Sequence, residues 1–198
     1  MISELLSDSI LVEPIKRGPL MLLPIFDPNK IIPEFDRFLA NRGEQLKAVV
    51  IGGAALTLLG IIDRGTRDVD LLEATIPDDI RLAAREFAEK HSLSRDWLNT
   101  GPSSLVRDLP ADWSTNLQSI YSGKALELWT LSRIDLIRTK LWAMCDRMRD
   151  LEDLVKLAPS NEELALAADW VKPLDTNPSW SVHVDSMVAA IKKRLSHD

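Results

Sequence analysis

Two aspartates one residue apart, Asp68 and Asp70, are the side chains of this 198-residue chain whose type and spacing best suit chemistry. At the period of two of an extended strand both carboxylates emerge on one face, while Val69 points to the other, toward a core. Paired carboxylates on one edge suit a divalent cation, and magnesium is usually held by one or two carboxylates together with substrate phosphates. The companion feature is Gly52-Gly53, which follows the apolar run Val49-Val50-Ile51 and precedes Ala54-Ala55-Leu56. With residues 47–51 as a buried strand, the glycines let backbone approach a ligand closely, and a helix beginning at Ala54 turns its free N–H groups back toward that turn, where phosphate is favoured. A glycine turn facing an Asp-x-Asp strand describes a site for a metal ion, Mg2+ or Mn2+, and a nucleotide.

The elements that must position these groups follow from periodicity and capping. Residues 1–30 read as an extended arm, because Pro14, Pro19, Pro24 and Pro28 prevent long helices. Pro33 to Asn41 gives a short helix with Phe35, Phe38 and Leu39 on one side and Gly43 as its stop. Pro77-Asp78-Asp79 opens a helix to about His91, with Ile80, Ala83, Ala84, Phe87 and Ala88 at helical spacing. Residues 92–123, rich in Ser, Asn, Pro and Asp, read as a long loop with short helical turns; Trp97 within it is a buried anchor rather than a base-stacking platform. Residues 124–130 alternate as a strand, which puts Glu127 on a face able to meet Asp68 and Asp70. Ser132-x-x-Asp135 caps a helix that runs to Pro159, with Ile137, Leu141, Met144, Met148, Leu151 and Val155 as its apolar stripe and Lys140 at the border of that stripe. Two further helices follow, one from about Ser160 to before Pro173 and one from Trp180 to Leu195.

Taken together, Gly52-Gly53, Arg64-Gly65-Thr66-Arg67-Asp68-Val69-Asp70 and the segment Leu131 to Ala143 with Lys140 resemble the DNA polymerase β-like nucleotidyltransferase superfamily. Within it they are similar to small bacterial proteins related to AbiEii-type toxins, which share a Gly-Gly turn, an Arg-x-Thr-x-Asp-x-Asp strand and a later lysine-bearing helix, in that order. The resemblance covers roughly residues 45–157, with a weaker echo at Trp97 and Asn99. It implies an α+β fold, a nucleotidyltransferase-like mixed β-sheet flanked by helices with a C-terminal helical extension. The expected organisation is an arm over 1–30, a core over 31–131 and a helical region over 132–198 packed on that core.

For the site, the resemblance implies that Asp68, Asp70 and Glu127 hold the metal and act in catalysis. Gly52, Gly53, Arg64, Thr66 and Lys140 bind the nucleoside triphosphate, and Asp150 and Asp153 match acidic positions of the family. Two departures stand out: Glu127 occurs where Asp is usual, and Ala54 follows Gly53 where many members carry a serine in the turn. Each residue has a plainer reading beside the functional one. Arg64 and Thr66 serve equally as loop residues, Lys140 as a snorkelling side chain, and Asp150 as a helix-surface partner of Arg147.

A net charge of −6 argues against a broad nonspecific nucleic-acid surface, though not against one local basic groove. Cys145, the sole cysteine, excludes an internal disulfide and a cysteine-cluster zinc site, and fits a small core residue in a reducing compartment. The short apolar run after Lys16-Arg17-Gly18 is not a signal peptide, since acidic residues precede it, prolines interrupt it and no small-residue cleavage site follows. A cytoplasmic protein without membrane partners is therefore expected. The reading is transfer of a nucleoside monophosphate from a triphosphate to a hydroxyl, on a tRNA 3′ end or a protein side chain. A toxin–antitoxin or phage-defence setting with an antitoxin or other protein partner follows by analogy. Its rivals are an inactive nucleotide-binding or interaction protein of the same fold, and a phosphodiester hydrolase using the same aspartates.

Overall fold

The first long helix is set by Asp27, whose carboxylate accepts the backbone N–H of Asn29 at 3.0 Å and so satisfies one free donor of the first turn. The computed structural model describes residues 24–72, 75–148 and 150–196. Helix α1 (Pro28–Arg42) therefore starts five residues before the expected Pro33, which lies inside it, and ends at left-handed Gly43. The expected arm over 1–30 falls largely outside the described residues. Of its remainder, Phe26 exchanges backbone hydrogen bonds of 2.8 and 2.9 Å with Thr66, and Pro28 is already helical.

Strand β1 (Leu46–Ile51) leads through Gly52 into helix α2 (Gly52–Leu58); β2 (Val69–Leu71) and helix α3 (Asp78–His91) follow. The expected long loop contains two strands, β3 (Leu98–Asn99) and β4 (Gln118–Ser122), besides 3-10 turns at Gly101–Arg107 and Trp113–Asn116. Strand β5 (Leu126–Thr130) completes a mixed five-stranded sheet of order β3-β2-β1-β5-β4. β1 runs parallel to β5 and antiparallel to β2, with Ile51 opposite Asp70 and Lys47 opposite Glu127.

The two faces of the sheet carry two apolar clusters. Ala48, Val50, Val69, Leu71, Leu126 and Leu128 pack against Ile32, Phe35 and Leu39 of α1 and Ile80, Ala83 and Phe87 of α3. Trp97 is fully buried among these rings and donates its indole N–H to Ala84 O at 3.0 Å, the anchoring role expected for it. Val49, Ile51 and Leu72 face the C-terminal helices: α4 (Arg133–Arg147), α5 (Leu151–Leu157), α6 (Asn161–Val171) and α7 (Trp180–Leu195). Each fully buried leucine or phenylalanine contributes roughly 1.5–3 kcal/mol of burial free energy, so these clusters fix the helices on the sheet. The architecture is α+β, a mixed sheet flanked by helices with a C-terminal helical extension. No helix among the described residues is long and apolar enough to cross a membrane.

The helix expected from Ser132 to Pro159 is broken. Ser132 caps α4 as expected, but Met148 (φ 52°) and Asp150 (φ 74°) adopt left-handed backbone and separate α4 from α5. Such conformations are costly for side chains with a Cβ and persist only where surrounding contacts demand them. Here the break lets Asp150 and Asp153 turn back onto Lys140.

Candidate active site

β1 delivers Gly52 to the end of the sheet, where φ is +75° and a Cβ on this residue would lie 3.1 Å from Oδ2 of Asp70. The turn and the second carboxylate are thus in direct contact, and the left-handed backbone needs glycine. Asp70 lies opposite Ile51 on β2 and accepts a hydrogen bond of 3.0 Å from the side-chain amide of Asn99 on β3. Burial and the neighbouring charge of Asp68 push the Asp70 carboxyl above the usual range, against the pull of Asn99, Lys140 and Arg147. Asp68 is exposed, and Thr66, itself buried, donates its hydroxyl to the Asp68 carbonyl at 3.1 Å and reaches its Oδ1 at 3.4 Å. Thr66 accordingly fixes the start of β2 and orients Asp68.

The opposite wall comes from α4 and α5. Lys140, 7 % exposed, donates to Oδ1 of Asp150 at 2.7 Å and to Oδ2 of Asp153 at 2.6 Å. Arg64 reaches Asp153 with one guanidinium nitrogen, at 2.8 and 3.0 Å from its two oxygens, and passes over Gly53. Burial alone would raise the Asp153 carboxyl; Lys140 and Arg64 together hold it below the ordinary value. The Thr57 hydroxyl bonds the carbonyls of Gly53 and Arg64, tying this loop to α2.

Between the walls lies a cleft of about 740 Å³ lined by Gly52, Gly53, Arg64, Thr66, Asp68, Asp70 and Lys140, and also by Trp142, Asp146, Arg147 and Asp150. Seven of the eight residues expected at the site are therefore brought together. Glu127 is not. It shares the face of Lys47, Val49 and Ile51, but lies beside Lys47 at the far end of the strand, where its Oε2 pairs with the Lys47 ammonium at 3.0 Å. Four residues of strand, roughly 13 Å, separate that level from Ile51, so Glu127 cannot join Asp68 and Asp70. The face was right and the position along it was not.

Asn99, Asp150 and Asp153 complete the set. Asn99 carried only a faint signal, since its contact with Asp70 joins residues 29 apart in sequence. Asp150 pairs with Lys140, whereas the Arg147 partner nearest among the described residues is Asp146, at 3.8 Å. Cys145 is buried, with its thiol pushed up to about 11 by that burial, and has the core role expected of it.

Asp68 and Asp70 form no ion pair among the described residues, and no group of three or more His, Cys, Asp or Glu side chains there is arranged to hold a metal by itself. Two unneutralised carboxylates with an open cleft before them fit a cation that completes its shell with substrate phosphate oxygens, which is the usual habit of magnesium. Residues 29–170, well over half of the chain, match the family model described as "Nucleotidyltransferase of unknown function (DUF6036)". No curated protein and no solved structure gives a significant match. With the sheet, the glycine turn and the aspartate pair in place, the family match settles the affiliation: the chain belongs to the DUF6036 nucleotidyltransferases.

Proposed function

We propose that the protein transfers a nucleoside monophosphate from a nucleoside triphosphate to an acceptor hydroxyl, with Mg2+ or Mn2+ held by Asp68 and Asp70. The observation that carries this reading is the contact between the Gly52 turn and Asp70, at which a carboxylate pair with no direct ion-pair partner among the described residues stands at the mouth of a backbone turn facing Lys140 and Arg147. The bound metal supplies charge neutralisation at the triphosphate and at the attacking and leaving oxygens. Gly52 and Gly53 present backbone to the phosphates, and Lys140 and Arg147 supply positive charge from the opposite wall. The acceptor oxygen forms a bond to the α-phosphorus, the bond from that phosphorus to the β-bridging oxygen breaks, and pyrophosphate leaves. The hydroxyl proton passes to solvent water in the open cleft, because a cation held by Asp68 and Asp70 removes the proton affinity that burial and Asp68 give Asp70 in the metal-free site. The likeness to AbiEii-type proteins extends the proposal to a toxin–antitoxin or phage-defence setting.

One observation favours a second reading, a nucleotide-binding protein without turnover. With Glu127 remote, only two carboxylates among the described residues line the sheet side of the cleft, and Lys140 is already paired twice. The test is incubation with Mg2+ or Mn2+ and each of four α-labelled nucleoside triphosphates in the presence of total tRNA and cell lysate, beside an Asp68→Ala/Asp70→Ala control. Label on RNA or protein that vanishes in the control supports transfer. Nucleotide binding with no label under any condition supports the second reading.

A further inference from the structure

A second cavity, of about 270 Å³, opens on the edge of the sheet beside β3 and is lined by Arg81 and Arg85 of α3, by Arg95 and Asp96, and by Asn99 and Thr100. Arg81 and Arg85 are four residues apart and so share a helix face. Arg81 also pairs with Asp78; among the described residues Arg85 and Arg95 have no carboxylate partner. Among the described residues, three guanidinium groups against one lining carboxylate make this a local basic site on a chain of net charge −6. Asn99 stands between this cavity and the main cleft. That side chain lines the edge cavity, donates to Asp70 Oδ1 at 3.0 Å and accepts the backbone N–H of Gly101, a residue lining the main cleft, at 2.8 Å.

We infer that the Arg81, Arg85 and Arg95 cavity binds the phosphodiester backbone of a single-stranded nucleic-acid acceptor whose terminal hydroxyl reaches Asp68 and Asp70. The inference rests on the transfer reading and deepens it by choosing nucleic acid over protein as acceptor. Planar guanidinium groups match phosphate oxygens in pairs, and basic grooves track single-strand backbones. A strand crossing the short edge of β3 places its last nucleotide in the main cleft and earlier phosphates over the arginines. A protein side chain as acceptor has no use for three such groups at that spot. The triphosphate is served separately by Lys140 and Arg147 on the far wall.

The test separates acceptor binding from transfer. A 5′-fluorescein single-stranded RNA of about twelve nucleotides, within the usual span of such sites, is titrated with the full chain by anisotropy, without nucleotide or metal, over a series of salt concentrations. The wild type is expected to bind at low salt. Arg85→Ala/Arg95→Ala is expected to weaken binding by about tenfold or more and to lower the slope of log K against log salt by about 0.7 for each phosphate that the protein no longer neutralises. Arg85→Lys/Arg95→Lys should recover part of the affinity, and ATP binding with Mg2+ should be the same in all three proteins, which also shows that the variants fold. Equal RNA affinity in wild type and alanine variant, or no RNA binding by the wild type at low salt, overturns the inference. Failure of the transfer reading looks different: arginine-dependent RNA binding persists while no label moves.

Discussion

The Lys140 ammonium lies 2.6 Å from Oδ2 of Asp153, and both side chains are almost wholly buried, at 7 and 2 % exposure. A buried pair contributes little relative to an apolar replacement, but removing one partner strands the other charge. Because Asp150 still pairs with Lys140, Asp153→Ala strands that ammonium only in part; it also frees the half-exposed Arg64, and the fold should lose roughly 1–3 kcal/mol. Because the native Asp153 carboxyl titrates below its ordinary value of about 3.9, its stabilisation is complete above that pH and is lost as pH falls through the native value. Urea unfolding across an acid pH series should show the wild type losing stability below about pH 4 and Asp153→Ala losing less. Matching acid limbs in the two proteins would refute the assignment.

Gly52 and Gly53 are adjacent, yet substitution should separate them sharply. A methyl group at Gly52 meets both the left-handed backbone and Asp70 Oδ2 at 3.1 Å, whereas at Gly53 the nearest atoms, Thr66 Oγ1 and an Arg64 nitrogen, stand at 3.6 and 3.7 Å. Gly52→Ala should cost roughly 1–2 kcal/mol and abolish nucleotide binding. Gly53→Ala should fold with nearly native stability and retain nucleotide affinity. Thermal unfolding with and without ATP and Mg2+ reads both effects, and comparable losses in the two variants would sink the argument.

Asp70 carries an electrostatic cost in the fold. Its carboxylate is disfavoured by burial and by Asp68, so Asp70→Asn at neutral pH should raise stability by on the order of 1 kcal/mol, a rise in Tm of roughly 2–4 °C for a chain of this size. The same change should abolish labelled transfer and remove the stabilisation that Mg2+ with nucleotide gives the wild type. A destabilised Asp70→Asn protein would show that the aspartate serves structure instead.

Much of this was legible in the sequence because it is local. The glycine turn, the period-two aspartates, the Ser160 cap with Glu163 and the span of α7 each depend on a few neighbouring residues. What was not legible depends on distance. β3 is two residues long and exists because Val69 and Asp70 pair with Leu98 and Asn99, which no window around Leu98 reveals. The break around Met148 and Asp150 interrupts the apolar stripe, and the contacts that accompany it, Lys140 with Asp150 and Asp153, join residues ten and thirteen apart across the two helices. Alternation likewise gives the face of a strand residue but not its level, which is set by register.

Glu127 tests that last point. On the register observed it faces Lys47 at the end of the sheet remote from the cleft, in an exposed pair whose contribution is at most about 1 kcal/mol. Glu127→Gln should therefore keep kcat and KM for the nucleotide within about twofold of wild type, a change of less than half a kcal/mol in the barrier, and leave Tm almost unchanged. Lys47→Met should behave the same way, since the two side chains depend on each other and on nothing in the site. A loss of transfer in Glu127→Gln comparable with that of Asp70→Asn would mean that Glu127 reaches the metal after all, and with it that β5 pairs with β1 in a different register during turnover.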